Sequence, residues 1–159
     1  MLWSKPWEKR RQSLAELDDL YKEVILDHYK NPRNKRQIPG AELSSSKNNP
    51  LCGDEITVLA HLEGGAVVDV AFLGSGCSIS QASASMMTEA VKGKDVGEAQ
   101  EVATEFRGMM EGVRDPDEDE LGDLMALKGV VKYPVRIKCA VLAWDVFQDA
   151  LAAADETSA

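Results

Sequence analysis

The chain has 159 residues, of which 44% are hydrophobic and 28% are charged, and this is the balance of one ordinary globular domain. The formal net charge is −9, from 27 acidic and 18 basic side chains, so the surface should repel nucleic-acid backbones and anionic membranes. No apolar run in the sequence approaches the roughly 20 residues of a membrane-spanning helix.

The chain divides into three unequal parts. The first twelve residues lack the apolar stretch of about 7–15 residues that a secretory signal needs, so we expect a cytoplasmic location. We predict a mobile N-terminal extension over residues 1–13. One folded domain should cover residues 14–152, and a frayed C-terminal tail should cover residues 153–159.

An amphipathic helix is predicted from Ser13 to the Asn31-Pro32 pair. Its apolar side chains recur at helical spacing and end at His28, and a proline disfavours the helical conformation of the residue before it. We interpret His28 as a packed, hydrogen-bonded core residue rather than as a metal ligand. The apolar stripe before it consists of Leu17, Leu20, Tyr21, Val24 and Ile25.

Two strands follow a polar connection. Apolar side chains alternate with their neighbours over residues 56–62 and 68–72, and Glu63-Gly64-Gly65 offers a tight hairpin between the two runs. Residues 41–47 are a candidate irregular edge strand. His61 falls at an outward or edge position of its strand, where we expect solvent exposure.

Helical spacing governs the rest of the chain. One helix is predicted over residues 79–90, a second has a capping-box-like start at Asp95, and the last begins near Pro134. The acidic run over residues 114–120 lacks calcium-loop spacing, and we interpret it as a solvated loop leading into a short helix. The predicted fold class is α+β, a small antiparallel three-stranded sheet packed with about five helices.

The three cysteines all lie at the ends of predicted elements. Cys52 precedes a strand, Cys77 precedes a helix, and Cys139 lies in the first turns of the last helix. An odd number of cysteines in an unexported chain argues against a disulfide framework and leaves the thiols available for metal binding or catalysis. Three unrelated buried cysteines are the alternative, because a free cysteine also behaves as a small core residue.

Asp54 adds a carboxylate two residues after Cys52, and Gly53 lets the backbone between them curl around one ion. Three sulfurs and one oxygen match the ligand number of a closed tetrahedral zinc site. Such a site carries a formal charge of about −2, which Arg136 and, less directly, Lys138 could offset from outside the ligand shell. The alternatives are a turn-capping role for Asp54 and a solvent-facing position for Arg136.

Four segments, in this order along the chain, carry a family resemblance. They are Leu20-Tyr-Lys-Glu-Val-Ile-Leu-Asp-His-Tyr-Lys-Asn-Pro-Arg-Asn34, Asn49-Pro-Leu-Cys-Gly-Asp54, Gly76-Cys-Ser-Ile-Ser-Gln-Ala-Ser-Ala-Ser85 and Arg136-Ile-Lys-Cys139. With them the sequence resembles the U-type iron–sulfur assembly proteins over about residues 17–150. The resemblance implies a single U-type domain in which Cys52, Asp54, Cys77 and Cys139 form one metal-gated sulfur site.

Departures from the cluster-scaffold branch of this family favour its SufU branch. Scaffolds typically have a histidine just before the third cysteine and a Leu-Pro-Pro-Val-Lys chaperone segment, where this chain has Lys138 and Tyr133-Pro-Val-Arg136. Residues 93–120 also make the stretch between the second and third cysteines longer. The SufU branch consists of zinc-dependent sulfur acceptors that work with SufS-type, pyridoxal-phosphate-dependent cysteine desulfurases.

The resemblance implies a sulfurtransferase in which Cys52 is catalytic. Cys52 would take the terminal sulfur of a persulfide from the desulfurase and carry it to downstream cluster-assembly proteins, while the other three ligands stay on the zinc. The main alternative is a scaffold on which a [2Fe–2S] cluster is built and transferred, since thiolates bind zinc and iron–sulfur alike. A purely structural zinc domain with an interaction role is a weaker alternative.

Overall fold

A computed structural model describes residues 22–157 of the chain. The first described element is a helix, α1, over residues 22–30. The strands that follow are β1 Leu43–Asn49, β2 Asp54–Glu63 and β3 Ala66–Ser75. The later helices are α2 Ser78–Val91, α3 Val96–Glu111, α4 Glu118–Leu121, a 3-10 helix over Gly122–Lys132, and α5 Pro134–Thr157. Over the described residues, the predicted α+β class with one three-stranded sheet and five α-helices is confirmed.

The sheet is a simple antiparallel meander in the order β1-β2-β3. The candidate edge strand at residues 41–47 is real, and it lies two residues further along the chain than the sequence indicated. Gly64 and Gly65 form the turn between β2 and β3 with φ values of +59° and +79°. Two positive φ values in a two-residue turn are what a hairpin with the right-handed sheet twist requires.

The structure differs from the sequence pattern at Val68. Alternation predicts that Val68 shares the buried face of Phe72, but its side chain is 39% exposed, and Val67 is fully buried instead. The pairing between β2 and β3 shifts between His61 and Leu62. This irregularity leaves one extra residue, Val68, in β3. The residues of β3 before it therefore point to the opposite face of the sheet from the one that simple alternation predicts.

Helices α2 and α5 pack on the sheet, and α3 packs against α5. Trp144 on α5 is fully buried and stacks on Phe106 of α3, with ring centroids 4.9 Å apart. Burial of each large ring stabilises the fold by roughly 1.5–3 kcal/mol. The core therefore fixes α5 in the turns that follow Cys139.

Small polar residues let α2 lie close to its neighbours. Ser83 donates a hydrogen bond to the carbonyl of Ala140 at 2.6 Å. Ser85 lies 2.8 Å from Nδ1 of the buried His28, whose Nε2 lies 3.3 Å from a carboxylate oxygen of Asp123. The interpretation of His28 as a hydrogen-bonded core residue is confirmed.

The helix ends mostly follow the local sequence. Helix α1 ends before Asn31, and Asp95 caps α3 by accepting from the amide of Glu98 at 2.8 Å. Helix α5 begins at Pro134 as predicted and runs to Thr157, beyond the point at which the sequence placed the tail. The N-terminal extension over residues 1–13 lies outside the described residues. Among the helices of residues 22–157, none combines the length and the apolar content that a membrane-spanning segment needs.

Candidate metal centre

Cys52 lies in the turn over residues 50–53 that joins β1 to β2. The carbonyl of Asn49 accepts from the Cys52 amide at 3.3 Å, and its side-chain oxygen accepts from the Leu51 amide at 3.2 Å. Gly53 has a φ of +69°, which glycine adopts without strain. The turn presents Cys52 half-buried beside the 70% exposed side chain of Leu51.

Asp54 is the first residue of β2, and only 1% of its surface is exposed. Its Oδ1 accepts from the backbone amide of Cys77 at 2.9 Å and from the hydroxyl of Ser80 at 3.1 Å. Its Oδ2 is buried and has no hydrogen-bond partner among the described residues. An unpaired buried carboxylate oxygen is costly, so this atom is suited to contact a cation.

Cys77 is the N-cap of α2. Its half-buried Sγ accepts from the amide of Ser80 at 3.5 Å, in the position where a serine or aspartate oxygen usually caps a helix. Unpaired amides and the helix dipole favour a negative charge at this place. Cys77 therefore presents its sulfur at the positive end of α2.

Cys139 is buried in the first turns of α5. Its Sγ lies 2.9 Å from Sγ of Cys52 and 3.9 Å from Nδ2 of Asn49. Burial, reinforced by the neighbouring Cys52 sulfur and Asp54 carboxylate, raises the pKa of the Cys139 thiol above its ordinary value. Without a cation, Cys139 in the folded protein therefore keeps its proton on Sγ.

The structure brings three of the four predicted ligands into one tight group. Ligand atoms of Cys52, Asp54 and Cys139 all lie within 4.8 Å of one another, and this is the one such group found among the described residues. Cys77 is not part of that group but borders it, because its amide donates to Asp54 Oδ1 and its charge contributes to the raised pKa of the Cys139 thiol. Residues up to 87 positions apart in sequence thus converge at one end of the sheet.

The two predicted charge-compensating residues differ in their placement. Arg136 is exposed, and its contact with the Cys139 thiol and the nearby charge of Cys77 raise the pKa of its guanidinium. Lys138 is also exposed. Within the described part of the chain, no ion pair of Lys138 is found. Arg136 is therefore the cation beside the sulfurs, and Lys138 is a surface charge on the same helix.

Sequence reasoning assigned no role to Ser80, Gly76 or Asn49, all of which contact the site. Ser80 touches both Asp54 and Cys77, and Asn49 holds the Cys52 turn. A Cβ built on Gly76 would come within 2.4 Å of Asp54 Oδ1. The spacing of Ser80 three residues after Cys77 indicates a helix cap, but no sequence signal indicates the contact with Asp54.

The donor set fits a zinc ion. It offers soft sulfur atoms together with a buried carboxylate oxygen that lacks a donor, and these are ligand types that zinc accepts in four-coordinate sites. A divalent cation would compensate both the unpaired Oδ2 of Asp54 and the ionised form of Cys139. The residues present therefore suit the group that the sequence predicted.

The fold and this donor cluster define a small α+β protein with a group of two cysteines and one aspartate at the end of its sheet that could hold a metal ion. The chain belongs to the family described as NifU-like N terminal domain, which matches residues 20–140.

Relatives within this family carry two different functional names. The chain is 50% identical over 138 residues to the zinc-dependent sulfurtransferase SufU of Bacillus subtilis, a match that covers 87% of this chain and 93% of that protein. It is 43% identical over 139 residues to the iron–sulfur cluster assembly scaffold protein IscU of Streptococcus pyogenes, covering 87% of each. The crystal structure of a Fervidobacterium islandicum protein, described as an iron–sulfur cluster assembly scaffold protein for the SUF system, superposes with a TM-score of 0.77 at 38% identity, covering 81% of this chain and 94% of that one.

Proposed function

We propose that this protein is a zinc-dependent sulfurtransferase of iron–sulfur cluster assembly, which accepts persulfide sulfur from a SufS-type cysteine desulfurase. The observation that carries the proposal is that ligand atoms of Cys52, Asp54 and Cys139 lie within 4.8 Å of one another, in a site where Asp54 Oδ2 is buried and unpaired. The 50% identity to the B. subtilis zinc-dependent sulfurtransferase supports it.

The ligands of the zinc are Cys52, Asp54, Cys77 and Cys139. Zinc supplies the charge that keeps the ligating sulfurs as thiolates near neutral pH while it moderates their reactivity. Arg136 offsets part of the negative charge of this set from the surface of α5.

Cys52 is the residue that receives the sulfur. It is half-buried in a turn, whereas Cys139 is fully buried in α5, so Cys52 is the sulfur of this pair that a partner protein can reach. The thiolate of Cys52 attacks the outer sulfur of the persulfide on the desulfurase. A sulfur–sulfur bond to Cys52 forms, the sulfur–sulfur bond on the donor breaks, and the donor cysteine leaves as a thiolate.

Asp54, Cys77 and Cys139 are the fixed part of the site. Asp54 and Cys139 are buried, and Cys77 is tied to the first turn of α2 through the amide of Ser80. The exposed side chains of Leu51, Tyr133 and Val135 flank the cysteines in sequence and offer apolar area for the desulfurase.

The proposal is tested with Cys52→Ala in a desulfurase assay. We expect this variant to lose stimulation of sulfide release and to lose the persulfide that mass spectrometry detects on the wild-type chain after incubation with desulfurase and cysteine. Ser85→Ala, a buried change on α2 away from the sulfurs, is the matched control and should stimulate normally. Normal stimulation by Cys52→Ala would refute the assignment.

A scaffold function is the second candidate, favoured by the 43% identity to the S. pyogenes IscU. In that case the same residues hold a [2Fe–2S] cluster as cargo. A colourless protein with about one zinc per chain supports the sulfurtransferase. A stable cluster after anaerobic reconstitution, which then passes to an apo-acceptor, supports the scaffold.

A further inference from the structure

The two oxygens of the Asp54 carboxylate have opposite surroundings. Oδ1 accepts two hydrogen bonds from the start of α2, one from the Cys77 amide at 2.9 Å and one from the Ser80 hydroxyl at 3.1 Å. Oδ2 is buried without a partner among the described residues. Two donors on one oxygen fix the plane of the carboxylate and leave only the other oxygen for a metal ion.

Ser80 contacts two of the proposed ligands at once. It is fully buried, its amide donates to Cys77 Sγ, and its hydroxyl lies 3.1 Å from both Asp54 Oδ1 and the Cys77 carbonyl. The hydroxyl has a single proton, and an ionised carboxylate is the stronger of the two acceptors. Its hydrogen bond therefore goes to Asp54 when that carboxylate is charged.

The approach of Ser80 to Asp54 depends on the absence of a side chain between them. A Cβ at Gly76 would lie 2.4 Å from Asp54 Oδ1 and 2.7 Å from Ser80 Oγ. Contacts this short do not occur for real Cβ atoms, so only glycine lets the hydroxyl and the carboxylate meet here.

We infer that Ser80 is a positioning residue, which turns Asp54 so that Oδ1 faces α2 and Oδ2 alone faces the thiols as the metal-ligating oxygen. This inference rests on the proposed zinc function. It assigns to Ser80 a part in metal binding that its place as the third residue after an N-cap does not require.

Ser85 provides the matched comparison. It is also a fully buried serine on α2 with a hydrogen-bonded hydroxyl, but its partners are His28 and the amide of Arg33 rather than a proposed ligand. Loss of either hydroxyl should affect the packing of the helix. Only the loss of the Ser80 hydroxyl should change the orientation of the Asp54 carboxylate at the metal.

The experiment compares Ser80→Ala, Ser80→Thr and Ser85→Ala in the full chain. Zinc affinity of the metal-free protein is measured by chelator competition, and the Co²⁺-substituted proteins are compared by visible absorption. We expect Ser80→Ala to bind zinc about 10- to 100-fold more weakly, as for the loss of other residues that orient ligands, and to shift the Co²⁺ bands. Ser80→Thr retains the hydroxyl and should recover most of the affinity, and Ser85→Ala should match the wild type in both measurements.

The outcomes separate this inference from the function on which it rests. Wild-type protein that binds no zinc overturns the proposed function and this inference together. Zinc-binding wild type with an unchanged Ser80→Ala variant overturns the role of Ser80 alone, and so does an equal loss in Ser80→Ala and Ser85→Ala. If circular dichroism shows that Ser80→Thr does not fold, the two alanine variants decide the question.

Discussion

Replacement of Gly76 by alanine would place a methyl group inside the proposed metal centre. The new Cβ would lie 2.4 Å from Asp54 Oδ1, 2.7 Å from Ser80 Oγ and 3.0 Å from Asp54 Cα. Real Cβ atoms keep at least about 3.0 Å from such neighbours, so the carboxylate oxygen must move by about 0.6 Å or more. The hydrogen bonds that now hold Oδ1 cannot all survive this displacement.

Two quantities should change in Gly76→Ala. Forcing an extra methyl group into a packed region costs about 1–3 kcal/mol of folding free energy. Displacement of a ligand from its supporting hydrogen bonds weakens metal binding by about 10- to 100-fold. The first quantity is measured by urea unfolding of the metal-free protein, and the second by chelator competition for zinc.

Gly129→Ala is the control for this experiment. A Cβ at Gly129 meets no atom within 4 Å, and the residue lies in the 3-10 helix rather than at the sulfurs. Its zinc affinity should equal that of the wild type. If Gly76→Ala binds zinc as tightly as Gly129→Ala does, the close packing around Asp54 does not support the metal, and the reasoning fails.

Two further predictions concern acidity and docking. Because the pKa of the Cys139 thiol is raised, zinc must displace a proton there, so zinc affinity should fall as pH is lowered and binding should release protons. The same raised pKa makes the metal-free fold lose stability as pH rises above the ordinary thiol pKa. Both statements depend on a protonated Cys139 thiol, so a zinc affinity that does not change with pH would contradict them. Leu51→Glu should raise the half-saturating concentration for desulfurase stimulation by about tenfold without loss of zinc, because it charges an exposed apolar side chain next to Cys52. Val113→Glu, at a side chain that is 77% exposed beyond α3, should have no such effect, and equal effects of the two changes would rule out specific docking at Leu51.

Much of the fold could be predicted because its signals are local. Alternation located β2, the two glycines located the hairpin, and Asp95 located the start of α3. Strand β1 begins two residues later than the sequence predicts, because Ser44–Lys47 has no apolar alternation and the register of the strand comes from pairing with β2. The exposure of Val68 depends on a pairing irregularity with β2, which the sequence of β3 alone does not contain.

The sequence predicts the metal-binding residues of the candidate site but not the residues that hold them in position. Residue types that bind metals identified Cys52, Asp54 and Cys139, whose donor atoms do converge. Ser80 and Gly76 lie more than 20 positions from Asp54 in sequence, and their contacts exist only because β2 and β3 bring the two loops together. Such long-range contacts leave no periodic signal.

A metal ion bound by both Cys52 and Cys139 would connect two parts of the chain that are far apart in sequence. Their sulfurs lie 2.9 Å apart although 87 positions separate them along the chain. An ion shared by both cross-links the turn after β1 to the first turns of α5 and closes a loop that contains β2, β3 and the helices α2 to α4. Zinc at 100 times its dissociation constant would add about 2.7 kcal/mol to the stability of this closed arrangement. If Cys52 left the ion to react with a sulfur donor, this cross-link would be lost. Sulfur transfer would then weaken the connection between the turn after β1 and the start of α5.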